Sequence, residues 1–139
     1  MRHSRTLLLV LAVVAGGCGL GAGDGGDTVP ESPGVTADPG CANVVSAEVT
    51  RANGRYRVTA TVRSADTGWD KYADAWEVRT PDGAVVGTRI LEHPHETEQP
   101  FTRSLNGVAI PAGVTDVVVA ARDSVVGFCG DTVTVAVPS

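Results

Sequence analysis

Aromatic residues are scarce. Two Trp, two Tyr and two Phe make up 4% of a 139-residue chain, methionine occurs once, and charged residues stop at 19%. Positive charge is the minority sign, with Lys+Arg 11 against Asp+Glu 16 and a net charge of -5. That balance excludes nucleic-acid binding driven by bulk electrostatics. The length leaves room for one domain and little more. Apolar residues still reach 42%, which excludes wholesale disorder. Gly 17 and Pro 8 suit short strands and turns better than helices.

A long hydrophobic run is also missing. The apolar stretch Leu7–Ala15 is nine residues, whereas a bilayer core of about 30 Å needs about 20. Behind the basic start of Arg2, His3 and Arg5, it fits the central region of an export signal over residues 1–17. Ala15-Gly16-Gly17-Cys18 resembles the bacterial lipobox, in which the cysteine thiol receives a diacylglycerol and the signal is cut just before it. The alternative is an ordinary secretory signal with an incidental cysteine. On the lipobox reading Cys18 anchors the chain to a membrane, and two or three acyl chains hold it there stably, at about 0.8 kcal/mol per buried methylene. Loss of Arg2 and Arg5 makes the mature chain two units more negative than -5. Residues 18–40 then form a tether, with seven Gly and three Pro in the 22 positions after Cys18. Such a composition builds no core and as a coil spans about 25 Å. The domain over residues 41–139 would stand outside the cytoplasm.

Within that domain, alternation marks about seven strands. They run over Val44–Thr50, Arg55–Arg63, Ala73–Thr80, Ala84–Leu91, Phe101–Ile110, Val114–Arg122 and Thr132–Val137. Val45, Ala47 and Val49 are expected on the inner face of the first, Tyr56, Val58, Ala60 and Val62 on that of the second, and Trp76 and Val78 on that of the third. Asn53-Gly54 signals a hairpin and Pro81-Asp82-Gly83 a turn. These elements predict an all-β antiparallel sandwich of immunoglobulin or fibronectin type III style. Leu105-Asn106-Gly107-Val108-Ala109-Ile110-Pro111-Ala112-Gly113-Val114 resembles the turn between the fifth and sixth strands of fibronectin type III domains. The corner tyrosine expected soon after is absent, with Asp116 and Val117 in its place.

With Cys18 lipidated, Cys41 and Cys129 form an even pair in an oxidising compartment and are expected to be joined. Free thiols or a metal pair are the alternative. The segment Glu92-His93-Pro94-His95-Glu96-Thr97-Glu98 holds both remaining histidines. Two apart in extended backbone, His93 and His95 point to one side. With Glu92, Glu96 or, in the preferred set, Glu98 they form a candidate zinc or copper site. The plainer reading is a solvated acidic connection. Arg103 shares its face with Phe101 and is expected to pair with Glu96, Glu98 or Asp123, because an unpaired inward charge is too costly. Trp69 and Tyr72 either cap the open end of the sandwich, the commoner fate of a large aromatic, or form a binding surface with Arg103. Asp123-Ser124 beside the histidines carries no Gly-x-Ser-x-Gly elbow, so a hydrolase is a distant third and no catalytic residue is assigned.

Three strings are similar to a family of small, uncharacterised exported bacterial proteins and lipoproteins: Gly68-Trp69-Asp70 with Tyr72-Ala73-Asp74 and Trp76-Glu77-Val78, His93-Pro94-His95 with Glu98 to Ser104, and Ala121-Arg122-Asp123-Ser124-Val125. The resemblance covers about residues 44–127 and implies a shared fold and address, without an activity. The expected function is a lipid-anchored, non-catalytic binding or envelope module. Its expected partners are a membrane, an envelope protein or a small ligand, with no cofactor unless the metal reading holds.

Overall fold

In the computed structural model residues 40–139 are described; the export signal, Cys18 and the tether up to residue 39 lie outside the described residues. The seven strands are β1 (Asn43–Ala52), β2 (Arg55–Arg63), β3 (Ala73–Arg79), β4 (Val85–Ile90), β5 (Phe101–Val108), β6 (Asp116–Asp123) and β7 (Val133–Ala136). One sheet has the order β1-β2-β5 and the other β4-β3-β6-β7, and every pairing is antiparallel. The β1–β2, β3–β4 and β6–β7 connections join neighbours within a sheet, and the other connections cross between sheets.

The hairpin of β1 and β2 forms as its turn residues dictate. Asn53 and Gly54 both sit at positive φ, 52° and 75°, which sets the twist that two-residue hairpins need. Val49 then lies opposite Val58, and Ala47 opposite Ala60. One expected inward residue is corrected. The register slips between Val44 and Ser46, so Val45 is the extra residue of a bulge. It is 47% exposed, and Val44 enters the core instead. Every strand but β2 also differs from expectation by one or two residues at one end or both. Ala84 is engaged by Thr80 in the turn before β4, β5 bulges at its end and stops at Val108, and Val114 donates to the Pro111 carbonyl at 3.2 Å, so β6 starts two residues later.

The core lies between the sheets. Val58, Ala60 and Val62 from β2 and Phe101 from β5 meet Trp76 and Val78 from β3 and Val117 and Val119 from β6. Fully burying each of the larger side chains stabilises the fold by about 1.5–3 kcal/mol. A clasp closes the amino-terminal edge. Cys41 is bonded to Cys129 with a Cα–Cα separation of 5.5 Å, as expected. Beside it Val44 N–H donates to the Asp131 carbonyl at 2.9 Å and Asp131 N–H to Asn43 Oδ1 at 2.9 Å. Gly130 permits this approach, because a Cβ there would lie 2.0 Å from the Ala42 carbonyl oxygen.

Candidate functional site

The three strings singled out in the sequence meet at one end of the sandwich, in the β2–β3, β4–β5 and β6–β7 loops. Asp66 ties the first two together. Its carboxylate is inaccessible to solvent and accepts the Ala73 amide at 2.9 Å on Oδ1 and the His95 amide at 2.8 Å on Oδ2. Gln99 repeats the bracing, accepting from Ser64 N–H at 2.9 Å and donating to the His95 carbonyl at 3.1 Å. Tyr72 and Ser124 tie the first loop to the third. Tyr72 N–H donates to Ser124 Oγ at 3.1 Å, and Ser124 N–H to the Tyr72 carbonyl at 2.9 Å.

Asp123 is the hub of the third loop. Lys71 Nζ pairs with its Oδ2, and Oδ1 accepts the Val125 and Val126 amides at 2.9 and 3.1 Å. Burial pushes the Asp123 carboxyl up, but Lys71 and the two amides outweigh it and leave the pKa below the ordinary value. Lys71 Nζ also donates to the Gly40 carbonyl at 2.7 Å. Next to the hub, Arg122 grips Asp74 bidentately at 2.8 and 2.9 Å.

His95 is the buried member of the His-x-His pair. It is 4% exposed, its ring stacks on Phe101 with centroids 3.9 Å apart, and neither ring nitrogen has a hydrogen-bond partner among the described residues. Asp66 Oδ2 is 3.9 Å from Nδ1, beyond a hydrogen bond. Burial lowers the His95 pKa, helped by the charges of Arg103 and His93, so the folded state holds the neutral ring. Such a histidine costs stability as pH falls from the ordinary value of 6.5 toward its own lower one, because only the unfolded chain takes up the proton there. His95→Phe keeps the stack and removes two unpartnered nitrogens. It should therefore leave Tm unchanged or raised at about pH 7.5 and raise it further at about pH 5. Thermal melts at the two values check this, and a lower Tm at both means the nitrogens hold something.

The remaining candidates separate. His93 is exposed with its ring 4.6 Å from that of His95, so the two imidazoles do lie together. Glu98 turns to Arg103 instead, in a forked pair of 3.1 and 2.8 Å. The fork lowers the Glu98 pKa and raises that of Arg103. Arg103 thus pairs as its face requires, with Glu98 and not with Asp123, at a rim over the Phe101 ring. Glu92 and Glu96 are exposed. Among the described residues no three His, Cys, Asp or Glu side chains are grouped to hold a metal ion. Trp69 does not cap the sandwich. It stands 69% exposed, with the edge of Tyr72 against it at 5.8 Å and 75°. Val125 and Val126 on the adjoining loop are 63% and 52% exposed. The end therefore has a polar frame below and apolar tips above.

Sequence reasoning missed the frame. Asp66 and Lys71 carry no motif, although Lys71 is the single lysine of the chain. A solitary lysine in a chain that otherwise uses arginine is the one signal that pointed there.

Over 95 residues the chain is 41% identical to a protein of Halomicrobium mukohataei named "Putative lipoprotein". The match takes in 68% of this chain and 46% of that protein, so the chain spans about half the length of the curated relative it matches. No family model matches the chain. No solved structure matches it.

Proposed function

We propose that the chain is an exported protein held to a membrane by lipid on Cys18, whose sandwich presents its loop end as a non-catalytic binding or envelope module. The observation that carries this reading is the division of labour at that end. Asp66, Asp74 and Asp123 are each occupied in bracing the loops, whereas Trp69, Val125 and Val126 are left to solvent. Rigidly held loops with apolar tips suit contact with a partner. The name of the relative supports the anchor, and the three-plus-four strand order supports an immunoglobulin or fibronectin type III style of sandwich. Cys18→Ser tests the anchor. The parent should take up labelled palmitate and sediment with membranes, whereas the variant should take up no label and either stay uncleaved or appear as soluble protein. A variant processed and membrane-bound like the parent sinks the reading.

The second reading is a zinc- or copper-binding lipoprotein using His93 and His95 with Glu98. The two unpartnered nitrogens of His95 beside the His93 ring favour it. Metal analysis of untagged protein decides: stoichiometric metal lost in the His93→Ala/His95→Ala variant establishes it, and metal-free protein removes it.

A further inference from the structure

We infer that the tips of the β2–β3 and β6–β7 loops, Trp69 with Tyr72 and Val125 with Val126, sit in the headgroup boundary of the same membrane that holds the lipid on Cys18. The inference rests on the anchor proposed above and adds which face of the domain meets lipid.

Single exposed apolar residues are ordinary. These are not single: Trp69 at 69%, Val125 at 63% and Val126 at 52% lie on loops bonded to each other through Tyr72 and Ser124. The carboxylates beneath them, Asp66 and Asp123, are already paired, while Asp70, Glu92 and Glu96 around the tips remain exposed to water. Trp and Tyr, each an apolar ring with a polar handle, are the residues that settle at the headgroup level.

The place where the chain enters selects the occupant. Lys71, two residues from Trp69, holds the Gly40 carbonyl, and Cys41 is bonded to Cys129, three residues from Val126. The segment leading back to Cys18 therefore joins the domain at this end. The ten residues of β1 carry the opposite end of the sandwich about 33 Å further off. The Trp69 end is thus the one beside the point where the chain enters the domain. Lys71, Arg103 and Arg122 are paired with Asp123, Glu98 and Asp74, and the exposed Asp70, Glu92 and Glu96 outnumber the exposed Arg63, so this end has no surplus positive charge with which to seek anionic lipid. A zwitterionic surface is the fitting one.

The test uses the full lipidated protein in phosphatidylcholine vesicles, with or without bromine on the acyl chains. The chain has two tryptophans, and Trp76 is fully buried at 0% exposure, so bromine quenching reports on Trp69. A ring seated about 5–10 Å into the boundary should lose emission in brominated vesicles relative to unbrominated ones. Trp69→Phe should abolish the quenching, with Trp76 emission attesting an intact fold, and Val125→Ser with Val126→Ser should weaken it while flotation is unchanged. Protein that floats with the vesicles but emits equally in both overturns the inference, leaves the anchor standing and assigns the face to a protein partner. Protein that does not float overturns the anchor, and the inference with it.

Discussion

Exported protein with Cys41 and Cys129 both changed to alanine is expected to melt about 10–30 °C below the parent. The bridge joins residues 88 positions apart, so in the unfolded chain it closes nearly the whole domain into a ring. Chain entropy alone puts that at about 4–5 kcal/mol, and measured losses from small exported domains run about 2–5 kcal/mol. Alanine is preferable to serine because Cys41 is 3% exposed and a hydroxyl there adds a cost of its own. The clasp around the bridge, from Val44 to Asp131 and from Asp131 to Asn43, stays in both proteins, so the comparison isolates the covalent link. Thermal melts under non-reducing conditions read the difference. Equal melting would show that the hydrogen-bonded clasp already restrains the two ends.

The second large effect is expected at Asp123. Asp123→Ala leaves the Val125 and Val126 amides without their acceptor and the Lys71 ammonium without its counter-charge, with the Gly40 carbonyl still to donate to, at about 2–4 kcal/mol. Asp123→Asn keeps an acceptor oxygen for the amides, loses the ion pair and should fall between. The pH dependence follows from the lowered Asp123 pKa. Above the ordinary value of 3.8 the carboxylate is charged in both states and its stabilisation is complete. As pH falls below 3.8 the unfolded chain is protonated first, and the stabilisation is lost through the lower pKa of the folded state. The parent should therefore lose stability across that acid window, and Asp123→Ala should show a flatter profile there. Denaturant titrations at several acidic pH values measure this. A parallel offset of the two profiles would mean that Asp123 acts through its shape and not its charge.

What was legible in the chain was whatever repeats at short range. Alternation in Arg55–Arg63 and the Asn53-Gly54 pair are local signals, and the hairpin follows from them with Val49 opposite Val58. Val45 escaped because a bulge adds one residue and turns the pattern over, and no short-range pattern announces it. The pairing of Cys41 with Cys129 was legible by counting, since only two cysteines remain after Cys18. The frame of the loops was not. Lys71 and Asp123 are 52 positions apart, Asp66 and His95 are 29, and their meeting depends on which strands cross between sheets. Alternation did place His93 and His95 side by side, yet it could not tell that one ring would be covered by Phe101 and the other left in water. Trp69 shows the converse. Hydrophobicity argues for burial, but its place at a loop tip put it beyond the reach of the core.

The clasp at Cys41 also determines how the domain carries load. A pull arriving along the amino-terminal segment would, without the bridge, be resisted at this end by the hydrogen bonds of Gly40, Asn43 and Val44, and once these gave way it would open the ladder of β1 with β2 one bond at a time, like a zip. Because Cys41 is covalently joined to Cys129, the same pull is divided between β1 in one sheet and the segment between β6 and β7 in the other. Tension then draws on both sheets together, and the outermost strand cannot peel away by itself.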